Sequence, residues 1–306
     1  MRPKQRGSRI SPYAAGAYSI LSGVRALQTA ESSFDLVLAY PQWQGSGRAE
    51  HLRRGAQAAA EVCRRFGPLA QVSDAGEGLA RDGIHRWTAI LEQFRSAQAI
   101  LDEKRPRRVL TAGGDCACDI AVIDYLHRQY PDLTVLWVDA HLDANTVETT
   151  PSGNFHGMPV AAIMGSAPAD LQPLLSAPLP PSRFRYVAAH VGDDGDWAFQ
   201  RDKGLTWLEP GQAMPGLAMS AQSGPGPVHI HFDLDALDPT EFPHLAYPDG
   251  KLSTQAGLDL VRMIAASGRL VGLTITEFAP ADQRGAEEGS HFLARLCEEA
   301  AARVDL

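Results

Sequence analysis

The chain has 306 residues, 44% hydrophobic and 21% charged, a composition that excludes fibrous and disordered classes and gives ample material for a large core. A formal net charge of -8 argues against nucleic acid as the main partner. No apolar run approaches the ~20 residues of a membrane span, so no membrane partner is expected.

Residues 1–30 carry Arg2, Lys4, Arg6, Arg9 and Arg25 and no acid. They read as an N-terminal extension, disordered or packed on the surface, because no apolar core with a cleavage site accompanies the charges. Residues 31–306 read as one domain. Phe34–Tyr40 has the β-branched, apolar pattern of a strand, and 49–66 that of a helix. A long helix over 84–103 leads to a strand at 108–112, a helix at 118–130 and a strand at 133–138. Further strands are expected at 183–189, 228–232 and 270–275, with helices at 254–266 and 290–303. The proline-rich stretch 167–182 and the Gly/Pro-rich 220–227 read as surface connections. Such alternation predicts an α/β domain, a mostly parallel sheet with helices on both faces, whose ligands sit at the carboxyl ends of the strands.

The four cysteines, Cys63, Cys116, Cys118 and Cys297, are too few and too scattered for a disulfide framework. Reduced thiols in a cytoplasm are expected.

The chemistry gathers where strands end. Asp139-Ala-His141-Leu-Asp143 follows the strand at 133–138, and Asp233-Leu-Asp235 follows the strand at 228–232. Residues spaced by two fall on one side of a strand, so each set can converge on a point. So many carboxylates at one rim repel each other unless cations neutralise them. Oxygen and imidazole donors suit Mn²⁺, Mg²⁺, Fe or Ni, and two such ions sharing a water bring its pKa toward neutrality.

Three further motifs lie at the same rim. Gly113-Gly114-Asp115-Cys116 opens a helix, with Asp115 placed as its N-cap or as an orienting group. Ser152-Gly-Asn154-Phe-His156-Gly forms a polar loop whose hydroxyl and amide suit a carboxylate, with a histidine that titrates near neutrality. Glu277 follows the strand at 270–275 and can pair with a guanidinium through two parallel hydrogen bonds.

Together, and in this order, these motifs resemble the ureohydrolase family of arginase, agmatinase and formiminoglutamase, from about Phe34 to the C-terminus. The resemblance implies an eight-stranded parallel sheet, two Mn²⁺ per subunit, and a homo-oligomer, commonly a trimer or hexamer. It implies that Asp139 and Asp233 bridge the ions, that Asp143 and position 116 complete one shell, and that His141 and Asp235 complete the other. Hydroxide held between the ions then attacks a guanidino carbon, with Asp143 holding its proton, His156 shuttling protons and Glu277 fixing the guanidinium. The Ser-x-Asn-x-His-Gly loop looks like that of arginases, which places Ser152 and Asn154 on the substrate's α-carboxylate and Asp193 near its α-amino group. Agmatine has no carboxylate for that loop to hold, so an arginine skeleton is expected.

The pattern breaks at one position. Family members normally follow Gly-Gly-Asp with a histidine ligand, and here the residue is Cys116. A ligating thiolate makes the shell softer and more negative, whereas a protonated thiol weakens the second ion. Either disfavours plain arginine and favours a less basic N-hydroxylated guanidine. The resemblance therefore extends to the N-hydroxy-arginine amidinohydrolase branch, whose products are L-ornithine and hydroxyurea. The alternatives are an arginase, a hydrolase of agmatine or another guanidino acid, and a metal-poor pseudoenzyme subunit.

Overall fold

A computed structural model of the chain describes residues 33–209 and 226–302. The basic extension expected at 1–30 lies outside the described residues, as do most of the 220–227 connection and the end of the last expected helix.

Eight strands form one sheet: β1 (Leu36–Tyr40), β2 (Leu69–Gln71), β3 (Val109–Gly113), β4 (Thr134–Val138), β5 (Phe184–Val187), β6 (Thr206–Trp207), β7 (Val228–Asp233) and β8 (Leu270–Thr276). Their order is β2-β1-β3-β8-β7-β4-β5-β6, and every pairing is parallel. The helices that connect them are α1 (Ala49–Cys63), α2 (Trp87–Lys104), α3 (Asp119–Gln129), α4 (Asp194–Lys203), α5 (Thr254–Ala266) and α6 (Gln283–Ala301). The expected parallel α/β sheet is therefore present.

Alternating side chains divide the core into two layers. Leu36, Leu38, Val135 and Trp137 face one side and pack with α2 and α3, while Val37, Leu136 and Val138 face the other and pack with α1, α5 and α6. β1, β3 and β4 are buried along their whole length, the near-continuous apolar reading of a strand covered on both faces. Register carries this to the site. Val138 pairs with Phe232, Phe232 with Ile275, and Ile275 with Ala112, so β4, β7, β8 and β3 end level and side by side.

Three elements escaped the sequence reading. β2 and β6 are short strands at the two sheet edges, with mostly exposed side chains and so no apolar pattern. Helix α4 buries only Asp196 and has no apolar stripe; its signal is the Asp193/Asp196 capping box. The last helix begins at Gln283 rather than at 290, because Asp282 accepts a hydrogen bond from Gly285 N at 2.8 Å and caps it there.

Candidate active site

The loop after β3 sets the first wall. Asp115 caps the short helical turn Cys116–Cys118 by accepting from Ala117 N at 3.1 Å, and it also accepts from Gln42 Nε2 and Gly45 N, each at 2.8 Å. Gly114 packs so closely on the backbone of Gln42 that a Cβ there would overlap the Gln42 carbonyl. Its own carbonyl accepts from Glu277 N at 2.8 Å, which ties the β3 and β8 loops together. Burial, then the charge of Glu277, pushes the Asp115 carboxyl up to about 7.

Cys116 Sγ donates to Asp233 Oδ2 at 2.8 Å and lies 3.9 Å from Glu277 Oε1. Asp139 accepts from Trp137 Nε1 at 2.9 Å and from His141 N at 2.6 Å. Nδ1 of His141 is 3.4 Å from Asp139 Oδ1 and 3.2 Å from Asp235 Oδ2. Asp233 Oδ1 accepts from Asp235 N at 2.7 Å.

Convergence is real, but strand alternation is not its cause. β4 stops at Val138, and residues 139–143 form a loop held by Leu142 N to Val191 O at 3.0 Å. Asp143 turns inward through a left-handed backbone, φ 49°, and Asp235 lies in the helical turn Leu234–Ala236. Glu277 is also left-handed, φ 56°. Two acidic site residues in a conformation disfavoured without glycine mark strain stored at a functional rim.

Charge confirms how crowded the rim is. Asp139, Asp143, Asp233 and Asp235 are all at most 7% exposed. Burial, then the charge of Asp139, raises the Asp143 carboxyl well above the carboxylate range and brings Asp235 to about 7. Asp233 is raised by burial and by Asp235. Burial and then Asp233 also push the Cys116 thiol up. Burial works against a charged His141, but hydrogen bonds to Asp139 and Asp235 overcome it and raise its pKa above the ordinary histidine value. Asp139, opposed by burial, is kept low by that same histidine. Asp143 Oδ2 and Glu277 Oε2 are buried without a hydrogen-bond partner among the described residues. Orphaned carboxylate oxygens beside mutually repelling acids are what a divalent cation relieves, so the donor set fits metal. The groupings match the expected set in part, since Asp143 falls in neither cluster and His231 joins one. Donor atoms of Cys116, Asp139, His231 and Asp233 lie within 4.8 Å of one another, as do those of Asp139, His141 and Asp235.

Above these donors opens a cavity of about 450 Å³. Cys116, His141, Asp143, Asp233, Asp235, Glu277, His156, Ser152, Asn154 and Asp193 all line it. Asp139 lies beneath, fully buried. His156 Nδ1 is 3.5 Å from Glu277 Oε1; burial opposes its charge, but this hydrogen bond and the charge of Glu277 raise its pKa above the ordinary value. Ser152 Oγ accepts from Asn154 N at 3.2 Å on the outer lip. Asp193 is the N-cap of α4 and accepts from Asn145 Nδ2 at 3.0 Å, so one of its roles is structural.

Sequence reading missed Tyr247, Asp196 and His231. Tyr247 lines the cavity, with its ring 5.3 Å from that of His156. Asp196 accepts from Ala144 N at 2.8 Å and Asp193 N at 3.0 Å, holding two site loops to α4. His231 stands two residues before Asp233 and so shares its side of β7, but inside that buried strand a histidine reads as core.

A family model described as the arginase family matches residues 46–302, most of the chain. The chain belongs to the arginase family. Among arginase-family relatives, it is 35% identical over 188 residues to an arginase of Saccharomyces cerevisiae, covering 56% of this chain and 56% of that protein. It is 30% identical over 210 residues to N(omega)-hydroxy-L-arginine amidinohydrolase of Streptomyces lavendulae, covering 66% of this chain and 74% of that protein. The match thus spans little more than half the length of several of the arginases, for example 56% and 58%. Solved arginase-family structures align more fully. An arginase of Entamoeba histolytica in complex with L-ornithine superposes with a TM-score of 0.77 at 19% identity, over 87% of this chain and 97% of that one. An arginase of Bacillus caldovelox does so with a TM-score of 0.77 at 23% identity, over 89% and 99%. At these identities the structural likeness establishes the fold.

Proposed function

We propose that this protein hydrolyses the guanidino group of an arginine-type amino acid, and that its preferred substrate is N-hydroxy-L-arginine, giving L-ornithine and hydroxyurea. Cys116 carries the choice of substrate. Its thiol, 2.8 Å from Asp233, stands in a ring of buried carboxylates where the family motif has a histidine. The similarity to a relative named for N(omega)-hydroxy-L-arginine supports the same reading. Similarity to several proteins named arginase favours plain L-arginine as the second reading.

Two Mn²⁺ ions in this centre would supply Lewis acidity and lower the pKa of a shared water. Asp139, Asp233, Asp143, Cys116, His141 and Asp235 would hold them, Asp143 and Cys116 on one side of the centre and His141 and Asp235 on the other. Glu277, whose Oε2 lacks a partner among the described residues, holds the guanidinium by paired hydrogen bonds. Ser152 and Asn154 take the α-carboxylate on the outer lip, and Asp193 takes the α-amino group. Asp143 accepts the proton of the attacking water. The bond between the guanidino carbon and the ornithine side-chain nitrogen then breaks, and that nitrogen receives a proton, with His156 carrying protons between site and solvent. The hydroxyl of an N-hydroxyguanidine lowers its basicity, which offsets a shell made more electron-rich by sulfur.

Among the described residues no helix is long and apolar enough to cross a membrane. A cytoplasmic trimer or hexamer is the form we propose. The deciding experiment is ornithine release by Mn²⁺-loaded protein from arginine and N-hydroxy-arginine side by side. Faster release from the N-hydroxy substrate is expected; equal or faster release from arginine makes the protein an arginase with an unusual ligand, and release from neither defeats the reading.

A further inference from the structure

His231 is fully buried on β7, two residues before Asp233. Its ring stacks on Trp137 with centroids 3.5 Å apart and planes inclined by 3°, which fixes the plane of the imidazole. Nδ1 lies 3.0 Å from Asp119 Oδ2. Asp119 is a fully buried carboxylate at the start of α3 that also receives His229 Nε2 at 2.8 Å and Thr274 Oγ1 at 2.6 Å. An ionised carboxylate only accepts, so Nδ1 carries the proton and the lone pair of His231 resides on Nε2. That nitrogen faces Thr276 Oγ1 at 3.3 Å, a long contact that an ion readily replaces.

A carboxylate that holds one ring nitrogen while the other presents its lone pair is the arrangement that orients histidine ligands and raises their basicity. That lone pair also has somewhere to point. Donor atoms of Cys116, Asp139, Asp233 and His231 all lie within 4.8 Å of one another. Ligands bound to one ion at ~2.0–2.3 Å lie at most about twice that length apart, so the four can meet one ion after small movements.

We propose that His231 is a ligand of the ion on the Cys116 side of the centre, so that β7 supplies the imidazole that position 116 lacks. Asp119 is then its positioning residue. The inference rests on the metal-centre reading above and adds a donor to it. It also answers the difficulty raised by Cys116: a histidine from β7, on the far side of β8, restores the neutral nitrogen donor, while sulfur and nitrogen together make this half of the centre softer than the His141 half.

Metal binding tests this directly. The full chain is stripped with chelator, titrated with Mn²⁺, and its ions per subunit and dissociation constants are measured for wild type, His231→Ala and His231→Asn, with circular dichroism to verify folding. The wild type is expected to hold two ions, and each His231 variant to weaken one of them at least tenfold and leave the other unchanged. In His141→Ala, which spares the Cys116 side, adding His231→Ala is expected to remove the ion that remains. Asp119→Asn is expected to weaken the same ion 10–100-fold, and Cys116→His to rescue binding in the His231→Ala background. Folded His231 variants whose bound ions, two or one, keep wild-type affinity overturn the proposal and leave the metal-centre reading standing. Wild-type protein that binds no Mn²⁺ overturns that reading and the proposal with it. If both single variants misfold, the cobalt-loaded wild type decides: nitrogen coupling from one histidine rather than two overturns the proposal.

Discussion

Gly55 of α1 lies flat against the carbonyl of Phe278, so closely that a Cβ on residue 55 would overlap that oxygen. Phe278 follows Glu277, so the helix backs the loop that carries the carboxylate proposed to hold the guanidinium. Gly55→Ala should therefore cost about 1–3 kcal/mol of stability, the usual penalty of overpacking. It should also raise KM more than it lowers kcat, because Glu277 is displaced rather than removed. Denaturant unfolding and steady-state kinetics check both. A variant of unchanged stability and KM would show that the loop relaxes freely.

The carboxylates predict an unusual pH profile for chelated protein. Asp115 and Asp235 both sit at about 7 in the fold, raised by burial and then by Glu277 and Asp139 respectively, against ~3.9 in an unfolded chain. The folded chain thus holds more protons between those values, and stability present below ~pH 4 is lost as the pH rises through 7. His156 acts in the same direction, since its folded pKa is raised: its contribution is present below ~6.5 and lost as the pH climbs through the folded value. Asp119, held low by its histidines against the opposing effect of burial, contributes the reverse slope only at acid pH. Chelated protein should melt several degrees lower at pH 8 than at pH 5, and Mn²⁺ should flatten or reverse the difference, because metal competes with protons for these groups. Equal melting temperatures in chelator would contradict the crowding argument.

Most of this candidate centre was legible in the chain because its donors follow buried strands, and β4 and β7 announce themselves by runs rich in β-branched and large apolar residues. Less legible was how the ligands converge. Asp143 reaches the rim through a left-handed residue and a loop pinned to Val191, which no periodicity encodes. His231 was hidden for the opposite reason: inside a buried apolar strand a histidine reads as core, and only its contact with Asp119, far away in sequence, shows which nitrogen presents its lone pair. Edge strands β2 and β6 lack apolar patterning and leave no trace.

Asp143 combines a strained backbone with a buried oxygen that has no hydrogen-bond partner among the described residues. Replacing it by Asn removes one of the repelling charges and supplies donors to neighbouring carboxylates. Chelated Asp143→Asn should melt about 2–4 °C higher than wild type for each kcal/mol of repulsion relieved. Its gain in stability on adding Mn²⁺ should shrink, because affinity lost to the folded state is stability lost. Turnover should fall by ~100-fold or more if Asp143 handles the proton of the attacking water. Thermal melts with and without metal separate these effects, and a variant that melts lower in chelator would refute the charge argument.

Ser152 and Asn154 sit on the outer lip, where neither is needed to hold metal. Ser152→Ala and Asn154→Ala should each raise KM for arginine and N-hydroxy-arginine by ~10–100-fold, equivalent to the ~1.5–3 kcal/mol of a hydrogen bond to a charged group. Stability and metal content should stay at wild-type values. Agmatine, lacking the carboxylate, should be hydrolysed no worse by these variants than by wild type. Equal losses on all three compounds would instead mean that the loop shapes the site without reading the carboxylate.

Cys116→His tests whether one side chain selects the substrate. The thiol stands among Asp233, Asp143, Glu277 and Asp139, and burial together with those charges disfavours its ionisation. If it ligates as thiolate, it donates charge that makes the shared water a weaker acid. If it stays protonated, its ion is held less firmly. An imidazole corrects both faults, being a neutral donor that binds without adding negative charge. Cys116 borders the substrate cavity, so the larger ring has open space on one side. Arginine turnover should rise about tenfold, or ~1.4 kcal/mol of barrier, with Mn²⁺ content maintained or increased. Turnover of N-hydroxy-arginine, already eased by its lower basicity, should change far less. An arginine rate that does not move while metal occupancy is the same as in wild type would show that Cys116 does not set the preference, and would return the choice of substrate to the loop around Asn154.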